Sequence, residues 1–282
     1  MTGLQQQAEP QPAEPQPAEA LRARVRATWT AGDFGRIAVG FEGGAAEFIE
    51  RLEFAPGERV LDVACGTGNL ALPAARAGAR VSAIDIAPAL VAQLADRAGA
   101  EGLGMDARVG DAEALPFADG SFDTVVTMFG AMFAAHPQAA ADEMLRVTRT
   151  GGRIAMANWA PDGFVGRMLK LTVGYVPPPP GMPSTLLWGD PSIVQDRLRA
   201  GVSQFRFKRR FMVLAYPFGP EQTVELFRTW YGPTVRAFGA LGEERQRELF
   251  ADLVELWADH NLGGPDTTRV ESEYLEVVAT RA

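Results

Sequence analysis

The sequence predicts an α/β protein with a doubly wound parallel sheet, N-terminal helices and an inserted flap. Strand-like and helix-like segments alternate between residues 60 and 158, with loops short enough for such a sheet. The strands are continuous apolar runs, as expected where helices cover both faces of a parallel sheet. The first strand leads directly into a glycine turn and a helix, in VLDVACGTGNLAL over 60–72.

The N-terminal region divides into a tail and a helical segment. Residues 5–19 read QQQAEPQPAEPQPAE, which offers no apolar face, so residues 1–19 are expected to be a disordered tail. Helical spacing of Leu21, Val25 and Trp29 then predicts an N-terminal helical lid over 20–52. The remaining chain, 20–282, is expected to form one domain.

The central segment supplies most of the predicted sheet. Turn residues and apolar runs place its elements with short connections. The expected strands are 60–64, 81–84, 107–109, 122–128 and 153–158, and the expected helices are 70–77, 88–98 and 139–147.

Beyond Trp159 the strand–helix rhythm changes. Residues 160–190 are interpreted as an inserted flap, with an amphipathic helix over 163–175 and a stiff connector, VPPPPG. The later elements are expected to be a strand at 205–215, helices at 222–238 and 243–260, and a final strand at 270–279.

Composition excludes several classes of function. With 27 basic and 35 acidic residues the net charge is −8, which disfavours a nucleic-acid partner. Cys65 is the single cysteine, and His136 and His260 are too few and too far apart for a zinc site, so no metal is expected. No apolar stretch approaches the length of a membrane span, and a cytoplasmic location is expected.

The glycine turn has the spacing of a nucleotide-binding loop. Gly66, Gly68 and Ala71 satisfy G-x-G-x-x-G/A, which lets the backbone approach a ligand at a helix N-terminus. Asp85 ends the second strand, where it suits the hydroxyls of a ribose. These residues predict an adenosine site without saying what the 5′ carbon carries.

Two further acids separate the possible ligands. Asp62 lies four residues before Gly66, where it would repel a pyrophosphate but attract the ammonium of a methionine moiety. Asp111 follows the third strand, where it could accept a hydrogen bond from adenine N6. Both observations disfavour a dinucleotide.

Five motifs follow one another along the central segment: DVACGTG (62–68), Asp85, GDAEALPF (110–117), SFDTVV (121–126) and RTGGR (149–153). Together they resemble the motifs of class I S-adenosylmethionine-dependent methyltransferases, most closely the branch of ubiquinone and menaquinone C-methyltransferases. Ala64 departs from the family pattern, which has a glycine there. The resemblance implies a Rossmann-like, seven-stranded, mostly parallel sheet with an antiparallel last strand.

The resemblance also implies a set of binding residues for S-adenosyl-L-methionine. The loop residues Ala64, Gly66 and Gly68 would pass under the methionine moiety, with Asp62 near its amino group. The other implied contacts are Asp85 with the ribose, Ile86 with the adenine face, Asp111 and Ala112 with the adenine edge, and Met128 and Phe129 with cofactor and substrate.

The expected reaction is in-line methyl transfer to an O, C or N acceptor on a small, partly apolar or aromatic molecule. His136, just after the fourth strand, either acts on the substrate or cofactor or only caps the next helix. Cys65 is interpreted as a loop filler. The substrate candidates are apolar residues of the helical lid, the fourth strand end and the flap, namely Phe34, Ile37, Phe129, Trp159 and Tyr175.

Two other functions stay open from the sequence. One is a non-catalytic module that binds S-adenosylmethionine or S-adenosylhomocysteine, and the other, less favoured, is an NAD-dependent oxidoreductase. The flap could also pair two chains into a homodimer.

Overall fold

The computed structural model describes residues 17–282. Residues 1–16 of the predicted tail lie outside this range, and residues 17–19 belong to the first helix rather than to a tail. Three helices open the described chain: α1 (Pro17–Trp29), α2 (Phe34–Ala38) and α3 (Glu42–Glu50). The Asp33 carboxylate accepts a hydrogen bond from the Gly35 N–H at 3.1 Å, which caps the start of α2.

The sheet has seven strands in the order β3-β2-β1-β4-β5-β7-β6, which confirms the predicted fold class. Only β7 runs antiparallel to its neighbours, and it lies between β5 and β6. The strands are β1 (Arg59–Val63), β2 (Arg80–Asp85), β3 (Asp106–Val109), β4 (Phe122–Met128), β5 (Thr148–Trp159), β6 (Val202–Tyr216) and β7 (Thr268–Arg281).

The strand order reverses between β1 and β4, so the crevice outside their carboxyl ends is where such a sheet binds ligands. Val60, Leu61 and Val63 of β1 are fully buried, which places the centre of the core at this point. The helices after α3 are α4 (Ala71–Arg76), α5 (Pro88–Ala100), α6 (Pro137–Val147), α7 (Phe164–Tyr175), α8 (Pro191–Leu198), α9 (Pro220–Trp230), α10 (Gly232–Gly239) and α11 (Glu243–Asp259).

The connection between β6 and β7 carries a second insertion, which holds α9, α10 and α11. The single helix predicted over 222–238 is wrong, because the chain breaks into α9 and α10 at Tyr231-Gly232-Pro233. A Cβ at Gly232 would lie 2.1 Å from the Thr28 carbonyl oxygen, so the glycine lets α10 begin against the end of α1.

The segment predicted as a flap packs onto the sheet. Phe164, Val165 and Met168 of α7 are buried, and the Val165 N–H donates to the Ser272 hydroxyl of β7 at 3.0 Å. Pairing of two chains through this segment stays a prediction. Among residues 17–282, no helix combines the length and apolar character needed to cross a membrane.

Candidate active site

The glycine turn after β1 has the backbone conformation that its sequence predicts. Gly66 and Gly68 have φ values of +53° and +91°, and Ala64 also takes a positive φ, +57°. A Cβ at Gly68 would lie 2.3 Å from the Leu94 Cδ1 atom of α5. The second glycine therefore lets the loop pack against the neighbouring helix.

Asp85 joins the end of β2 to this turn. Its Oδ2 atom accepts from the Gly66 N–H and its Oδ1 atom from the Ala87 N–H, both at 2.8 Å. Burial raises the pKa of this carboxyl, against the opposing effect of these backbone donors. Each oxygen retains a lone pair with which it could accept from a ribose hydroxyl.

A cleft of about 690 Å³ lies at the carboxyl ends of β1, β2 and β4, and we call it the cofactor cleft. Asp85 and Asp111 place acidic groups on a wall that is otherwise mostly apolar. Such a wall fits a nucleoside, with carboxylates for its hydroxyls and amine and apolar side chains for its base. The sequence-predicted residues that line it are Phe34, Ala64, Asp85, Ile86, Asp111, Ala112, Met128 and Phe129.

Three other predicted cofactor residues lie outside the lining of this cleft. Gly66 and Gly68 shape the turn, and Asp62 is buried at the end of β1. The Asp62 Oδ2 atom has no hydrogen-bond partner within the described part of the chain. Burial, together with the nearby Asp85 charge, raises the pKa of Asp62 to about 8. A buried acid with a free oxygen fits a cationic group such as an ammonium.

Helix α1 covers the cofactor cleft and supplies residues that sequence reasoning missed. Arg22, Val25 and Trp29 line the cleft from one face of the helix. The Arg22 Nε atom lies 2.7 Å from Glu113 Oε2 and 4.0 Å from Asp111 Oδ2. This ion pair ties α1 to the loop after β3. Helical spacing predicted the N-terminal helix, but no pattern in the sequence predicted the ion pair between Arg22 and Glu113.

His136 belongs to the same ionic cluster and lines neither the cofactor cleft nor the aromatic chamber described below. It is the N-cap residue of α6, without a side-chain cap. Its Nδ1 atom lies 2.7 Å from Glu113 Oε2, and its N–H donates to Glu113 Oε1 at 2.8 Å. Burial alone would raise the pKa of Glu113, but hydrogen bonds from Arg22 and His136 lower it below its ordinary value. The geometry therefore gives His136 a position beside the lid.

A second, much narrower cavity lies beside the cofactor cleft, and we call it the aromatic chamber. It shares Trp29, Phe34, Phe129 and Phe133 with the cleft. Ile37 and Trp159, two predicted substrate residues, also line it. The remaining lining residues are Phe41, Val165, Met168, Leu214, Phe227 and Tyr231.

Phe129 forms the boundary between the two cavities. It has a φ of +53°, a conformation that costs a non-glycine residue free energy and marks many functional sites. Its ring stacks on Trp159 at a centroid distance of 3.5 Å and meets the edge of Tyr274 at 5.7 Å. These contacts hold the strained residue where cofactor and substrate would meet.

Tyr231 is the one lining residue of the chamber with an ionisable side chain, among the residues that the structure describes. Its hydroxyl has no hydrogen-bond partner within residues 17–282, and burial raises its pKa well above the ordinary value. The phenol therefore stays protonated at neutral pH and can donate a hydrogen bond.

Two other singled-out residues take no part in these cavities. Tyr175, predicted to contact substrate, lies outside both linings and donates its hydroxyl to Asp252 at 2.6 Å. Cys65 is buried, and burial raises the pKa of its thiol, so a thiolate nucleophile is disfavoured there.

Comparisons with known proteins agree with this architecture. The sequence profile of a family described as a methyltransferase domain matches residues 61–156. An uncharacterised protein of Mycobacterium tuberculosis is 36% identical over 260 residues, covering 91% of this chain and 93% of that protein.

Two more distant proteins match part of the sequence or the fold. A demethylmenaquinone methyltransferase of Renibacterium salmoninarum is 40% identical over 116 residues, covering 41% of this chain and 47% of that enzyme. The YcgJ protein of Bacillus subtilis has a similar fold, with a TM-score of 0.57 at 18% identity, covering 84% of this chain and 98% of that one.

Proposed function

Because this chain belongs to the class I S-adenosylmethionine-dependent methyltransferases, we propose that it methylates a small apolar or aromatic molecule bound in the aromatic chamber. The observation that carries this proposal is the continuity of the two cavities. Four aromatic side chains, Trp29, Phe34, Phe129 and Phe133, line both of them. An acceptor in the chamber would therefore adjoin whatever occupies the cofactor cleft.

Three carboxylates, two of them in the lining of the cofactor cleft, would hold the polar groups of S-adenosylmethionine. Asp85 would accept hydrogen bonds from the ribose hydroxyls, and Asp111 would accept one from the adenine amine. The free Asp62 oxygen would take the ammonium group. When bound, this cofactor supplies an activated methyl group on a sulfonium.

The chamber would contribute alignment and exclusion of water. Phe129 and Trp159, stacked on each other, form a rigid wall against which a flat acceptor can pack. Trp29 and Phe34 meet edge to face at 5.5 Å and close the side nearest the N-terminal helices. Positioning of this kind can supply a large part of a rate enhancement when the electrophile is already activated.

No described residue that lines the chamber can act as a general base for this acceptor at neutral pH. Among the described residues, no Asp, Glu, His or Lys lines the chamber, and the raised pKa of Tyr231 keeps its phenol protonated. An acceptor that is already nucleophilic at neutral pH fits this environment, such as an acidic enol, an acidic phenol or a neutral amine. Tyr231 would then orient it by donating a hydrogen bond.

The test is a methylation assay with a metabolite extract and S-adenosylmethionine, followed by mass spectrometry for products heavier by one methyl group. Val165 lines the chamber, and Val165→Phe would fill part of its volume. We expect at least a tenfold loss of product with unchanged S-adenosylmethionine affinity, since overpacking of this site blocks only the acceptor.

The matched control is Val39→Phe, the same change at a residue that is 59% exposed and lines neither cavity. It should leave product formation unchanged. Full activity of Val165→Phe would place the acceptor outside the chamber and refute the proposal.

A further inference from the structure

A third and wider cavity leads away from the two described above. It has a volume of about 1840 Å³, is open to solvent, and runs between α1, α7, the proline-rich connector and α10; we call it the outer groove. Val25, Trp29 and Phe133 line both this groove and the cofactor cleft. Trp29 and Phe133 pack edge to face at 4.9 Å, so one aromatic pair stands where all three cavities meet.

The walls of the outer groove are mainly apolar. Leu169 and Val173 of α7, Met182 after the proline-rich connector and Ala237 of α10 all contribute to them. Val173 is 47% exposed, so its side chain is accessible to a molecule that enters the groove. The groove therefore offers an apolar path from solvent toward Trp29.

The charged residues of the groove are all of one sign. Arg24 of α1 and Arg236 of α10 line it, and none of its described lining residues is acidic. Neither arginine forms a salt bridge within residues 17–282. The chain as a whole carries a net charge of −8, so the local charge of this groove is opposite in sign to that of the molecule.

We propose that the methyl acceptor is an amphipathic anion, whose apolar body reaches past Trp29 while its anionic group binds Arg24 and Arg236. This inference rests on the proposed function, because it assigns the acceptor's far end to a groove that joins the proposed methylation site. Charge complementarity and the continuity of the three cavities both support it. Guanidinium groups bind carboxylates, sulfonates and phosphates with good geometry, so the shared chemistry is a single anionic head.

The experiment compares two fluorescent probes that share an aromatic body. The probe 1-anilinonaphthalene-8-sulfonate carries a negative charge, whereas N-phenyl-1-naphthylamine is neutral. Both are titrated against the wild-type protein and the Arg24→Gln/Arg236→Gln double variant. We expect the variant to bind the anionic probe roughly five- to tenfold more weakly, the size for two partly exposed charge contacts, and the neutral probe within twofold.

The control is Arg26→Gln/Arg206→Gln, which removes the same charge from two exposed arginines outside the groove. It should leave the affinity for both probes within twofold. Raising the salt concentration should weaken anionic-probe binding to the wild type more than to the groove variant, because screening acts on the arginine contacts.

The proposal is overturned if both probes lose affinity equally, if the control variant behaves like the groove variant, or if the anionic probe binds unchanged. It is also overturned if the methylated product found in the extract is neutral or cationic at pH 7. Failure of the proposed function has a different signature: the wild-type protein forms no methylated product, while its probe affinities stay as measured.

Discussion

The cofactor cleft and the aromatic chamber share a wall but are built in different ways. The cleft is formed mainly by short segments at the carboxyl ends of β1 to β4, and its charged groups are Asp85, Asp111, Glu113 and Arg22 of α1. The chamber is assembled from side chains between residues 29 and 231, and Tyr231 is its one ionisable group in the described chain. We expect the first to bind its ligand by backbone shape and charge, and the second by apolar area and exclusion of water.

This difference explains what the sequence could predict. Residues that shape the cleft lie in contiguous motifs because strand ends and turns need particular residues, such as glycine at the φ of +91° taken by residue 68. The fold class and most strand positions followed from the same local patterns. The chamber gave a weaker signal: four of its lining residues were predicted for the substrate, but Leu214 and Phe227 resemble ordinary core residues until the chain brings them together.

The largest effect is expected from a substitution of Asp85, which should impair the cofactor cleft without changing the aromatic chamber. Asp85→Ala removes a carboxylate that lines only the cleft, so S-adenosylmethionine affinity should fall by roughly 100-fold or more, the size for two hydrogen bonds to a charged group. Calorimetry measures this loss. Asp106→Ala, at an exposed carboxylate on β3, is the control and should bind normally.

The same variant should leave the aromatic chamber intact. Binding of N-phenyl-1-naphthylamine is expected to stay within twofold of the wild type. An unchanged S-adenosylmethionine affinity would mean that the ribose assignment is wrong, and a parallel loss of probe binding would mean that the two cavities do not act independently.

The second prediction concerns how the free energy of unfolding depends on pH through Asp62, the buried acid predicted to contact the cofactor. Its pKa is about 8 in the folded chain, against an ordinary value of 3.8. At a pH between 3.8 and 8, Asp62 is therefore protonated in the folded state and ionised in the unfolded state. The free energy of unfolding should therefore fall as pH rises from about 4 to 8, by about 1 kcal/mol per pH unit from this group.

Asp62→Asn removes this titration while it keeps a side-chain oxygen that can accept a hydrogen bond. Urea unfolding of both proteins between pH 5 and 8 should show the variant gaining stability relative to the wild type as pH rises. Asp106→Asn, at an exposed site, should show no such trend. Parallel curves for wild type and Asp62→Asn would contradict the assigned burial effect.

A smaller effect should appear on the acceptor side at Tyr231. Tyr231→Phe removes only the hydroxyl, so kcat/KM for the acceptor should fall roughly three- to tenfold, as for one neutral hydrogen bond. S-adenosylmethionine affinity should not change. Because burial keeps the phenol protonated, the wild-type effect should persist from pH 6 to 9.

Tyr175→Phe provides the matched control for the same chemical change. Its hydroxyl bonds Asp252 outside both cavities, so acceptor kinetics should match the wild type. A larger effect at Tyr175 than at Tyr231 would favour the contact expected from the sequence over the one inferred from the chamber.

The smallest effect is expected where α1 crosses the two cavities. Arg22→Gln removes the ion pair with the buried Glu113 carboxylate, but the arginine side chain is 41% exposed and His136 still contacts that carboxylate, so we expect a small effect. S-adenosylmethionine should dissociate roughly two- to fivefold faster in stopped-flow measurements, and more so at low salt. Arg26→Gln, at an exposed position of the same helix, should dissociate like the wild type. If both variants dissociate at the wild-type rate, α1 is held over the cleft by the packing of Trp29 against Phe133 and Tyr231 rather than by its charge.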